Sequence, residues 1–332
     1  MSKPMATTPS GSLANTNSDK SNAARYIDVH AHVFPDFYEA ALKRAGINDV
    51  DGWTYPKWSP EAMFKAMDDH KIEAQLLSVS SPGISFAEGD DAKQLARRLN
   101  EYMAGLVKEH SPRLGSMAIL PLPDVEASLA EIEYAFDTLD MDGVGIISNY
   151  NGVYLADAKI APVLEELNRR KAVAFVHPTI PPGWRSFAVD IPAPVMEYIF
   201  DSTRMAQQLV SSGAKAKFPD IAIIVCHGGG TLPISHQRLV KYWMDGKNQL
   251  FDTFYYELTA TTEHEQLAAL LAMTAPDRCM MGFDFPFMKP DWFDPLQGKL
   301  ESYGFTPEEL KGVIRNNALR LFPKLERRIR ES

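Results

Sequence analysis

Cysteine is scarce in this chain: two residues, Cys226 and Cys279, among 332. Both lie inside apolar, strand-like runs, so they read as buried free thiols of a reducing compartment rather than a disulfide frame. No apolar stretch approaches the roughly 18–20 residues that a membrane span requires. No long basic run offsets the net charge of −9, which argues against nucleic acid or an anionic membrane as the main partner. An anionic substrate then needs a local positive centre, such as a metal ion or a placed arginine. No G-x-G-x-x-G follows any strand-like run, so a dinucleotide fold loses its main support. No two glycines stand four apart, which removes the G-x-S-x-G elbow of a serine hydrolase. Residues 1–24 are polar and rich in Ser, Thr and Asn, without the apolar core of a signal peptide. They read as a disordered tail, and the chain as cytoplasmic.

What remains is ordinary globular material, 45% apolar and 23% charged, enough to bury a sizeable core. Short apolar or β-branched runs recur at 25–30, 73–80, 115–120, 143–148, 172–177, 221–227, 254–259 and 279–284. Between them lie helical patterns such as "EAMFKAMDDHKI", "SLAEIEYAFDTL" and "APVLEELNRRK". Near-continuous apolar strands alternating with helices predict a parallel sheet covered by helices. Eight such strands favour one α/β domain over 25–332, a (β/α)8 barrel, with an aromatic-rich insertion at about 34–60.

The strand ends carry the chemistry. The first run leads into His30-Ala31-His32, and residues two apart in an extended chain point to one side. The fifth run ends on His177, the sixth on His227 and the eighth on Asp284. In a parallel barrel these ends share the C-terminal rim, where barrel active sites sit. Any one of these histidines is more readily explained by packing. Their joint placement points to a shared metal site. His70, His110 and His264 fall near helix ends and read as surface or packing residues, while His236 is ambiguous.

"DVHAH", "HP" at 177–178, "CHGGG" at 226–230 and "GFDFPF" at 282–287 together resemble the amidohydrolase superfamily. Within it they resemble the non-oxidative decarboxylases of aminocarboxymuconate semialdehyde, γ-resorcylate and 6-methylsalicylate. The "FVHPTIPPGW" stretch and the overall spacing are most similar to the last of these. The resemblance runs from about residue 26 to the "IRNNALRLF" segment at 314–322. It implies a distorted barrel of the amidohydrolase type. It makes His30, His32, His177 and Asp284 metal ligands and His227 a catalytic histidine outside that set. Three imidazoles and one carboxylate suit a single divalent ion, zinc or manganese, with no organic cofactor. The run "GVGIISNYNG" offers no lysine to bridge a second metal.

The implied activity is loss of CO2 from an ortho-hydroxy aromatic carboxylic acid such as 6-methylsalicylate. Its costly step is protonation of the ring carbon that bears the carboxylate. Asp284 is the candidate donor of that proton, and His227 the group that moves protons to or from the metal water, Asp284 or the phenol; in the semialdehyde decarboxylase version, metal-bound hydroxide has the larger part. Arg238, eleven residues after His227, stands where family members use an arginine in a neighbouring subunit's site, which implies a homodimer. A solvated helix arginine explains it equally well. The insertion supplies Trp53, Tyr55, Lys57 and Trp58 but no arginine, which favours an apolar, aromatic substrate. Trp53, Tyr55, Trp184 and Phe287 are candidate substrate-wall residues, with Phe285 a further one; packing is the competing account of each. The rival chemistry is hydrolysis of a small lactone, ester or amide by the same metal and His/Asp pair. A barrel that only binds a ligand or regulates a partner leaves the acid/base groups without work.

Overall fold

In the computed structural model, which describes residues 25–187, 189–244 and 250–332, eight parallel strands form one sheet. The polar stretch 1–24, read above as a disordered tail, lies outside the described residues. The strands are β1 (Tyr26–His32), β2 (Ile72–Ser78), β3 (Leu114–Ile119), β4 (Gly143–Ile147), β5 (Val173–His177), β6 (Ala222–Val225), β7 (Tyr255–Glu257) and β8 (Cys279–Met280). Each pairs with the next in parallel register. Strands buried on both faces explain why these runs are apolar throughout rather than alternating.

The covering helices follow their apolar spacing. Gly89–Glu109 buries Ala92, Ala96, Leu99, Met103 and Leu106, a stripe at intervals of three and four. Ser59 caps the helix Pro60–Asp69 by accepting from the Ala62 N–H at 3.1 Å, and Asp124 caps Val125–Asp137 through the Ala127 N–H at 3.0 Å. None of the described helices is long and apolar enough to cross a membrane.

The barrel closes through the segment that follows β8. The Val29 N–H donates to Met281 O at 3.1 Å, the Asp284 N–H to His30 O at 2.7 Å and the His32 N–H to Phe285 O at 2.8 Å. Asp28 reinforces this seam from within, its carboxylate accepting from the His30 N–H at 2.9 Å, the Phe283 N–H at 3.1 Å and the Gln75 amide at 2.7 Å. Burial drives that carboxyl up to about 7 despite these hydrogen bonds.

Three strands, β6, β7 and β8, are clearly shorter than their apolar runs suggest, and two of them bear on the site. β6 stops at Val225 and β8 at Met280, so His227 and Asp284 lie beyond them rather than at their ends. Both residues have φ 54°, in the left-handed region, which breaks the extended backbone and turns their side chains over the rim. A hairpin of Asn149–Tyr150 and Val153–Tyr154, which the sequence pattern does not suggest, follows β4. Between β1 and Pro60 run the helix Asp36–Arg44 and an antiparallel bridge of Val50 with Trp53.

The glycine triplet after His227 is a space requirement as well as a turn. Gly230 has φ +64°, and a Cβ there would lie 2.1 Å from the Ile199 carbonyl oxygen. Gly230→Ala is therefore expected to lower stability by about 2–4 kcal/mol, combining left-handed strain with a backbone clash. A thermal melt followed by circular dichroism checks this, and an unchanged Tm would contradict it.

Candidate active site

His30 and His32 share one face of β1, and their Nε2 atoms stand 3.0 Å apart. Asp284 Oδ1 lies 3.4 Å from the first and 3.1 Å from the second. His177, at the end of β5, brings its ring to 5.2 Å from that of His30 and 4.9 Å from that of His32. One donor atom from each of these four buried residues lies within 4.8 Å of all the others.

The opposite nitrogen of every ring is engaged away from the centre. His30 Nδ1 donates to Glu257 Oε2 at 2.8 Å and His177 Nδ1 to the Pro178 carbonyl at 2.7 Å. His32 Nδ1 donates to Ser78 Oγ at 2.9 Å, whose hydroxyl in turn donates to the Ala31 carbonyl at 3.2 Å. With the proton on Nδ1 in each ring, all three Nε2 atoms present lone pairs inward. Asp284 Oδ1, also buried, accepts no hydrogen bond among the described residues. Three lone pairs and a carboxylate facing one another repel unless a cation lies between them. The donor set thus fits a divalent ion of borderline hardness.

The electrostatics point the same way. Burial presses His30 toward neutrality, but Glu257 and Asp284 outweigh it and hold the imidazole up at about 9. Burial dominates at His32, which falls to about 4, and at His177, which lies well below the usual range. Burial would raise both acids, yet the His30 charge outweighs it. Glu257 stays at about 2, and Asp284, helped also by His32, below the ordinary carboxyl value. Two ionised carboxylates beside the neutral His32 and His177 rings favour one positive charge at this point, which a proton on His30 carries here and which a metal ion would replace.

Glu257 was not among the residues singled out in the sequence. It has no exposed surface, and besides His30 its Oε2 accepts the His227 backbone N–H at 3.1 Å, while Oε1 accepts from the Thr259 backbone. One carboxylate therefore orients the His30 ring and the backbone of His227. The available signal was a lone charge in the apolar strand "FYYELT". Gly282 makes room for it, since a Cβ there would lie 2.0 Å from Glu257 Oε1.

His227 stands beside the four-donor cluster rather than in it. Its ring centroid is 5.3 Å from that of His30 and 6.0 Å from that of His177. Its Nδ1 is buried with no hydrogen-bond partner among the described residues, and burial, with His30 nearby, lowers its basicity.

His177, His227 and Asp284 form the polar floor of a cavity of about 770 Å³, with Trp53 and Phe287 on its walls. Phe287 meets the His32 ring edge-on at 5.8 Å. The other candidate wall residues stand elsewhere. Tyr55 packs on Phe34 at 5.1 Å and donates to the Ile47 carbonyl at 2.7 Å, which ties down the insertion. Trp58 lies against Tyr102, and Phe285 is core. Trp184 lines a separate, smaller cavity with Asn149 and Arg185. Arg238 is exposed on the helix Leu232–Tyr242, outside the residues that line the main cavity. Aromatic content marked the right segments but could not separate rings that pack from rings that line.

The chain matches the amidohydrolase family model over residues 27–324. It is 35% identical over 325 residues to a decarboxylase of Aspergillus niger, covering 90% of this chain and 88% of the relative. It is 33% identical to the 6-methylsalicylic acid decarboxylase of Penicillium expansum, covering 90% and 97%. In fold it is similar to a dihydroxybenzoic acid decarboxylase of Polaromonas, solved with manganese and 2-nitroresorcinol. That match has a TM-score of 0.78 and 22% identity and covers 91% of this chain and 97% of the other.

Glu257→Gln keeps a hydrogen-bond acceptor for His30 but removes the charge. It is expected to weaken metal binding about 10–100-fold, the usual effect of losing a partner behind a ligand histidine. Competition against a chromophoric chelator measures this, and unchanged affinity would show that Glu257 does not tune the site.

Proposed function

The chain belongs to the amidohydrolase family and is a carboxy-lyase; we propose that His30, His32, His177 and Asp284 hold one divalent ion. Its substrate in this reading is an ortho-hydroxy aromatic carboxylic acid of the 6-methylsalicylate kind, converted to the phenol and CO2. The observation that carries the reading is the set of four inward-facing donors on the floor of an apolar cavity. When bound, the ion supplies the positive charge that draws in and orients the carboxylate and adjacent hydroxyl of the acid. Zinc and manganese both suit the donor set, and no organic cofactor is required.

The remaining chemistry falls to side chains. The ring carbon that bears the carboxylate gains a proton, its bond to the carboxylate breaks, and the bonding electrons restore the aromatic ring as CO2 leaves. One proton is consumed overall. Asp284, at the cavity floor, is placed to deliver it. His227, which borders the cavity and carries no inward tie, is the relay that supplies the proton to Asp284 or takes one from the phenol. Trp53 and Phe287 flank the ring and exclude water.

We also place the protein in the cytoplasm as a homodimer. Two buried free cysteines support a reducing compartment. Tyr242 and Trp243, 71% and 74% exposed at the end of the helix that carries Arg238, support a contact with a second copy. In that arrangement Arg238 meets a substrate carboxylate in the partner's site. Tyr242→Glu combined with Trp243→Glu is expected to shift the mass measured by light scattering from dimer to monomer. An unchanged mass would move the interface elsewhere.

Metal-loaded protein incubated with salicylate-type acids is expected to release CO2 and the matching phenol in equal amounts. Turnover of lactones or amides without CO2 would replace this reading with hydrolysis. His227→Ala is expected to retain the metal by elemental analysis and to lose about 10²–10⁴-fold in kcat, the scale of a lost general acid or base. Loss of the metal instead would make His227 a ligand.

A further inference from the structure

The cavity is much larger than the acid just proposed for it. At about 770 Å³ it lies well inside the range of about 300–1,000 Å³ that encloses drug-sized ligands. A single benzene ring with a carboxyl, a hydroxyl and a methyl group fills a small part of that space. Where the polar groups stand fixes where such a ring lies. His177, His227 and Asp284 are at the rim of the strands, so the carboxyl and hydroxyl face them and the opposite ring edge faces outward.

Away from the floor the walls are mainly apolar, interrupted by Thr231, Thr261, Thr262 and Gln266. Ile199 of the helix Ala193–Ser211, Ala269 of His264–Leu271, Leu296 of Phe293–Ser302 and Met288 border this part of the cavity. Beyond the floor, charge returns at Glu263, Glu265 and Lys299, with Lys299 paired to Glu263. Water held against such walls gains little and is released favourably by an apolar occupant.

We infer that the outer cavity is a subsite for an extended apolar substituent, an alkyl chain or second ring carried on the ring edge away from the carboxyl. This inference rests on the decarboxylase reading, because it takes the ring to be anchored at the metal floor. The preferred substrate is then a long-chain or biaryl ortho-hydroxy acid rather than the methyl-bearing one.

The test is a series of salicylic acids bearing methyl, propyl or pentyl groups at ring positions 4 or 5, the edge away from the carboxyl, assayed for CO2 release with the metal-loaded enzyme. At one ring position kcat/KM is expected to rise by roughly threefold per methylene, and on the order of eightyfold from methyl to pentyl. Ala269→Phe, which puts a ring into the outer cavity, is expected to bring the pentyl-to-methyl ratio down to about one. A flat or falling series at both positions, with the methyl acid still losing CO2, overturns the subsite while leaving the decarboxylase reading intact. If no acid releases CO2, calorimetric binding of the same series decides. Affinity that climbs with chain length keeps the subsite, and affinity that does not removes it.

Discussion

A carboxylate with no exposed surface governs this molecule's chemistry. Glu257 is buried in the barrel, where an unpaired charge is among the most costly things a protein can contain. It is tolerated because it is fully engaged: the His30 ring, the His227 backbone and the Thr259 backbone all donate to it. Its charge holds a His30 proton on Nδ1 and leaves Nε2 facing inward, so the arrangement of the four donors depends on an acid that is not itself one of them. The geometry of the rim is imposed from one residue behind it.

The second constraint is conformational. His227 and Asp284 both take left-handed backbone geometry at the points where β6 and β8 give way. Such residues persist only where their surroundings over-determine them, and here the surroundings are specific. The Glu257 carboxylate holds the His227 N–H, and the His30 carbonyl holds that of Asp284. Strain and hydrogen bonding therefore meet at the two groups to which proton transfer is assigned.

Much of this was readable from residue order. Apolar runs separated by amphipathic helices specify a parallel barrel, because only a sheet covered on both faces needs strands without polar alternation. The H-x-H pair worked as a signal because a strand's two-residue period puts both rings on one face, and β1 does continue through His32. What escaped was set by contacts distant in sequence. Glu257 looked like a stray charge until β1 was laid opposite β7. The early ends of β6 and β8 depend on backbone torsions that apolar composition does not encode. Tyr55 and Trp53 sit in the same short segment, yet one packs on Phe34 and the other borders the cavity. Only the path of the turn between Val50 and Trp53 separates them.

The seam between β1 and the segment after β8 joins the two ends of the barrel's chain. Two of the four donors lie within the first seven described strand residues, and the fourth arrives with residue 284, stitched to the first by a single backbone hydrogen bond. A nascent polypeptide still lacking that last stretch can carry the histidines but cannot close the ring around an ion. Metal capture at the proposed site would thereby wait on the segment that carries Asp284, and an ion held there would clasp the two ends of the barrel together.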